Sequence, residues 1–202
     1  MKKILAVLMM MVGTLWCAGP VLTPDQIRAA ILEGAKFKSA DKFISEGSKY
    51  ESKKGLKGIT VDISSNTYVT FFNDWQAVAL ESALAHQQMR ELKVEEIHST
   101  GILHGRLTME PSEMWHAGNE KFVGSHLVIV VGDRVIQPTK EEVIKTANTN
   151  RVFVGKGWII TVAVEFDVTP DDLLKSVNVI VIDGNGKKHK KMADLKGVLT
   201  VD

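Results

Sequence analysis

Histidines and carboxylates are the side chains here whose chemistry could be put to work, and they gather in one stretch. Over residues 96–110 apolar and polar positions alternate, which places Glu96, His98, His104 and Glu110 on one side of an extended strand. Imidazole and carboxylate groups are the ligand types that hold zinc or another divalent ion. Spacing argues against a single ion, because six residues of strand separate His98 from His104 by about 20 Å. The two can meet only if Gly101 or Gly105 bends the chain. His116 and His126 flank the next loop, and folding could add them to such a cluster. The bland alternative is a solvated strand face. In the same loop Trp115, His116 and Asn119 form a candidate binding surface, since loops on rigid scaffolds often carry recognition.

Other chemistry finds no complete set of residues. His86 belongs to a helix-forming stretch without the His-Glu-x-x-His pattern of zinc proteases. No Gly-x-Ser-x-Gly elbow occurs, and Ser125 and His126, as neighbours on a strand, point to opposite faces. Gly-rich phosphate loops are missing. Asp183-Gly184-Asn185-Gly186 lacks the acidic positions of a calcium loop and reads as a turn.

The elements that must position these residues follow an address segment. Lys2 and Lys3 precede an apolar run over 4–12, and small residues Ala18 and Gly19 come just before Pro20. This is the layout of a secretory signal peptide, too short to span a bilayer. Cys17 is the single cysteine, and lipidation there is a minor alternative because Trp16 replaces the small residue that bacterial lipoproteins carry. Removal of residues 1–19 would take thiol chemistry and disulfides with it. Lys+Arg number 25 against 24 Asp+Glu, a near balance that argues against a nucleic-acid binder. Basic clusters at 49–57 and 187–191 offer contact with an anionic surface, or a charged strand edge that resists aggregation.

Beyond the leader, Thr23-Pro24-Asp25-Gln26 opens a helix with a capping box, and a second helix is expected near 40–47. Strands are expected at 59–63 and 68–72. One long helix then covers about 74–92, with Trp75, Val78, Ala79, Ala83 and Met89 as its core stripe. Strands follow at 96–110 and 126–131, the latter turning at Gly132-Asp133 into 134–136. Thr139-Lys140-Glu141-Glu142 reads as a capping box that opens a short helix ending near Asn148. A long strand over 158–168, a single helical turn after Thr169, and a hairpin of 177–182 with 187–195 complete the chain.

This organisation gives three parts: a signal peptide (1–19), a helical N-terminal segment (20–58) and a β-rich globular domain (59–202). The expected class is α+β, mainly antiparallel β-sheet or sandwich. The C-terminal third resembles secreted immunoglobulin-like sandwiches, which implies a fold style and no activity. The expected role is an exported, non-enzymatic binding or structural module of the periplasm or cell exterior, without a cofactor. Its partner would be a protein or polysaccharide, and the mature chain would carry no transmembrane span. The alternative is an exported metal-dependent enzyme that uses His98, His104, His116 or His126 with Glu96 or Glu110 around a divalent metal such as zinc.

Overall fold

Local capping signals and strand periodicity account for most of the elements. The structure, a computed structural model, describes residues 21–37, 58–64, 67–109, 124–147 and 158–198. Helix α1 (Pro24–Gly34) starts where the capping box closes: the Gln26 N–H donates to Thr23 Oγ1, and the Thr23 N–H donates to Gln26 Oε1. Helix α2 (Asp74–Gln87) starts in the same way on Asn73 and Gln76. Each reciprocal pair satisfies two of the four N–H groups that a helix start leaves without partners.

Strands β1 (Ile59–Ser64), β2 (Thr67–Phe72), β3 (Leu103–Met109), β6 (Lys140–Ala147) and β7 (Trp158–Phe166) make one antiparallel sheet in the order β1-β2-β3-β7-β6. Strands β4 (His126–Val131), β5 (Arg134–Ile136), β8 (Ser176–Ile182) and β9 (Lys188–Asp194) make a second, ordered β5-β4-β8-β9. Their inner faces share a single apolar core. Phe71, Leu107 and Phe166 of the first sheet and Leu127, Ile129 and Val179 of the second are fully buried within it. Each such side chain contributes about 1.5–3 kcal/mol on leaving water. Gly105 faces this core, where a Cβ would come within 2.9 Å of Val164. The arrangement is α+β, with two packed antiparallel sheets and few helices.

A smaller apolar cluster lies outside the sandwich. Ile27 and Ala30 of α1 pack with Val78, Ala79, Leu80 and Ala83 of α2, and Phe72 reaches it from β2. The two helices touch closely at Gly34, where a Cβ would sit 2.0 Å from the Ala79 carbonyl oxygen. The Ser82 hydroxyl donates to the Ile31 carbonyl across the same contact at 2.8 Å. At the far end of the chain, Asn73 Nδ2 donates to the Val198 carbonyl at 3.2 Å, so the cap of α2 is also tied to the short 3₁₀ turn Lys196–Val198.

Three sequence expectations are corrected. The capping-box reading of 139–142 fails, since these residues enter β6. Thr139 spends its N–H and hydroxyl on the Glu165 carbonyl, and β6 runs in register with β7 from Lys140↔Glu165 to Ala147↔Trp158. Cross-strand pairing overrides the local signal. The long helix ends at Gln87, short of residue 92, and Met89 is 97% exposed rather than part of a core stripe. The chain stops there in a Schellman motif: Met89 has φ 55°, the Arg90 N–H donates to the Ala85 carbonyl, and the Met89 N–H donates to His86. Finally, 96–110 is not a continuous strand. Val94–Glu96 is a 3₁₀ turn, Gly101 takes φ 70°, and regular pairing begins at Leu103.

The hairpin at Gly132-Asp133 forms as expected, with φ 59° at Gly132 and Val131 paired to Arg134. The Thr169 box caps the single-turn helix α3 (Pro170–Leu173), where the Arg134 guanidinium also meets Asp172. The helix expected near 40–47 lies outside the described residues. Among the described residues no helix is long and apolar enough to cross a membrane.

Candidate functional site

The densest polar centre is built around Asp74. Asn73 and Gln76 already close the capping box, so the Asp74 carboxylate is free to bond elsewhere. Oδ2 accepts from the Ser99 hydroxyl at 2.5 Å, the Thr100 N–H at 2.8 Å and the Gly101 N–H at 2.7 Å. Oδ1 lies 2.9 Å from His104 Nε2, which must donate because an ionised carboxylate only accepts. Ser99 Oγ in turn accepts from the Leu22 N–H at 2.8 Å, which extends the network to the lead-in of α1. Burial by itself would raise the Asp74 carboxyl. The bonds from His104, Ser99 and Gly101, with the charge of His104, outweigh that and hold its pKa below the ordinary carboxylate value.

This is a Ser, Asp and His set with the wrong order for nucleophilic catalysis. In a working triad the histidine stands between hydroxyl and carboxylate, so that it can take the hydroxyl proton. Here the carboxylate stands between the other two and occupies both. The chemistry it supports is positional: it clamps residues 99–101 and the start of β3 to the N-terminus of α2, where a negative charge also meets the positive end of the helix.

Beside this clamp, α2 lies along the outer face of the five-stranded sheet and leaves a groove of about 170 Å³. The pairing register arranges that face in rows: Phe72, His104, Glu165 and Lys140, then Thr70, Arg106, Ala163 and Glu142. Ala77, Leu80 and Leu84 form the helical wall, with Ala163 and Ile144 on the sheet side. Charged groups ring it. Lys140 pairs with Glu165 at 3.2 Å, and Glu81, Arg106 and Glu142 also line the opening. A volume of this size holds one apolar side chain, and the rim offers both positive and negative groups to whatever that side chain belongs to.

The candidate metal ligands go to different places. His104 is engaged with Asp74, whereas His98 and Glu96 are exposed in the segment before β3, with Glu96 3.8 Å from Arg90. His126 begins β4 in the other sheet and stands 3.1 Å from Glu141. Among the described residues no three His, Cys, Asp or Glu groups gather where they could hold a metal ion. Glu110, and the loop with Trp115, His116 and Asn119, lie outside the described residues, as does Cys17. Asp74 was legible only as the first residue of the helix expected over about 74–92. The signal available was its position directly after an Asn that already had a capping partner in Gln76.

No protein-family model, curated protein or solved structure matches this chain.

Proposed function

We propose that the protein is an exported binding module that recognises an extended peptide segment, and that it does so without catalysis. The carrying observation is the conjunction of the groove with strand β6. Among the described residues β6 pairs on one side only, with β7, and Lys140, Glu142 and Ile144 along it line the groove. An extended peptide laid against that edge would hydrogen-bond through its main chain and direct an alternate apolar side chain past Ile144 into the groove. Glu81, Arg106 and Glu142 would then meet the flanking polar groups. The clamp at Asp74 supports the same reading, since it fixes the α2 wall to the sheet. The export half rests on the leader-like residues 1–19. The immunoglobulin-like style belongs to the proposal too, supported by β7 lying in one sheet and the β8–β9 hairpin in the other.

Titration of the isotope-labelled protein with a library of short extended peptides tests the recognition. Expected are amide shifts concentrated along β6 and methyl shifts at Leu80 and Leu84, lost in Ala163→Phe, whose ring fills the groove. If no peptide perturbs β6, or if Ala163→Phe binds as well as the parent, the recognition half is wrong. Cell fractionation tests export separately, and accumulation of the full-length chain in the cytoplasm would refute it.

A further inference from the structure

The outer face of the four-stranded sheet has a composition that a solvated face does not explain. In an antiparallel sheet with one wet side, outward positions should be polar. Leu127, Ile129, Val177, Val179 and Val181 are fully buried on the inner side. Alternation therefore sets Val128, Val130, Ile180 and Ile182 on the outer side, where Val128 is buried and the other three are half-buried. Register then sets Val135 of β5 beside Val130, and Met192 of β9 just beyond Asn178. Val135 is 57% exposed and Met192 74%. The result is an aliphatic strip across the four strands, exposed at Val135 and Met192 and half-buried at Val130, Ile180 and Ile182.

One margin of that surface is basic. On the same face β9 puts Lys188 opposite Ile182 and Lys190 opposite Ile180, and both lysines are exposed. Lys187 and Lys191 flank them in sequence, with Lys191, opposite the inward Val179, on the other side of β9. Among the described residues the lysine ion pairs are those of Lys36 and Lys140, so these four carry uncompensated charge. Of the nearby acids, Asp183 in the β8–β9 turn is buried and engaged with His189 at 3.2 Å, while Asp133 in the β4–β5 turn and Asp194 at the end of β9 lie at the opposite end of the face. Glu141 is taken by His126.

We infer that this face docks onto an anionic lipid surface, with the aliphatic side chains entering the interface and Lys188 and Lys190 reaching the headgroup phosphates. Lysine stems lie comfortably along apolar surface while their ammonium groups seek anions, which suits a charged margin beside half-buried Ile and exposed Met. A second copy of the chain is the poorer occupant. Antiparallel pairing of β9 with β9 would oppose lysine to lysine across the new ladder. The surface lies on the other sheet from the β6 groove, so membrane docking and peptide recognition stand or fall separately.

Flotation of the purified protein with vesicles tests the inference, comparing pure phosphatidylcholine with phosphatidylcholine containing phosphatidylglycerol. Binding is expected to the anionic vesicles only, and to weaken as salt screens the lysines. Lys188→Ala and Lys190→Ala should each reduce the partition coefficient roughly five-fold, and the double variant roughly twenty-five-fold. Met192→Ser with Val135→Ser should also weaken binding at unchanged charge. All four positions are exposed, and circular dichroism checks that the variants keep the fold. Equal binding to neutral vesicles, no binding to either, or binding that ignores the double lysine variant overturns the inference. A concentration-dependent dimer in sedimentation, abolished by Met192→Asp and without vesicle binding, would assign the face to a second copy instead. Peptide shifts on β6 should be the same in the double lysine variant.

Discussion

Replacing Gly34 by alanine sets two known effects against each other, and the geometry decides between them. Helix propensity favours alanine by at most about 1 kcal/mol, less at this last helical position. Against that stands a Cβ placed 2.0 Å from the Ala79 carbonyl oxygen and 2.7 Å from Ser82 Cβ. The oxygen belongs to the backbone of α2 and cannot swing aside, so α1 and α2 must separate by an ångström or more. Overpacking of this kind costs about 1–3 kcal/mol. Separation also strains the Ser82 to Ile31 hydrogen bond, worth about 1 kcal/mol. Subtracting the propensity gain leaves a net loss of about 2 kcal/mol, or about 4–8 °C in Tm for a chain of this size. Urea and thermal unfolding followed by circular dichroism would measure it, with Leu32→Ala on the exposed side of α1 as the control. A Gly34→Ala protein as stable as its parent, or more stable, would refute the close-contact account of the helix pair.

Two further outcomes follow from single residues. Met89→Gly should stabilise the protein by about 1 kcal/mol, since a non-glycine residue in the left-handed C′ position is costly and this side chain touches little; an unchanged urea midpoint would contradict that. Asp74→Asn should cost about 2–3 kcal/mol at neutral pH, because one amide oxygen replaces a carboxylate that accepts four hydrogen bonds. The folded-state pKa of Asp74 is depressed, so its stabilisation is fully present above the unfolded value of 3.8 and is lost as pH falls through the lower folded value. Asp172 and Asp183 are depressed as well: burial opposes, but bonds from Thr169 and Arg134 to the first, and from His189 and backbone N–H groups to the second, prevail. Unfolding free energy should therefore fall with pH below about 4, less steeply in Asp74→Asn; a parallel fall in both proteins would show that Asp74 is not among the responsible groups.

What could be read from the chain was whatever rests on neighbours in sequence. The boxes at Thr23 and Thr169, the Gly132-Asp133 hairpin and the β8–β9 hairpin all form as their residues dictate. The 139–142 segment shows where that logic ends. Its capping pattern is as good as the one at Thr23, yet Lys140 faces Glu165 and Val143 faces Val162 across 20 residues or so of chain, and the ladder wins. The same holds for 96–110, whose alternation is genuine only from Leu103 onward, because a positive φ at Gly101 turns the earlier residues toward Asp74. The Asp74 clamp joins residues 22, 74, 99 and 104, and no local pattern announces a partnership spread that widely. The groove depends on how α2 lies against β2 and β3 beside β7 and β6, which is set by tertiary packing alone.

The bond from Asn73 to Val198 bears on how the molecule comes into being. It spans 125 positions, and it joins the cap of α2 to a turn near the end of the chain. During synthesis, or during passage through any pore that admits the polypeptide in order, α1, β1, β2 and α2 emerge long before that partner exists. Contacts of such separation form late, because the intervening loop must close first. The groove wall would then set only once the last strand has docked. A chain cut short before residue 198 should accordingly reveal itself through a loosened start of α2 rather than through local damage at its own end.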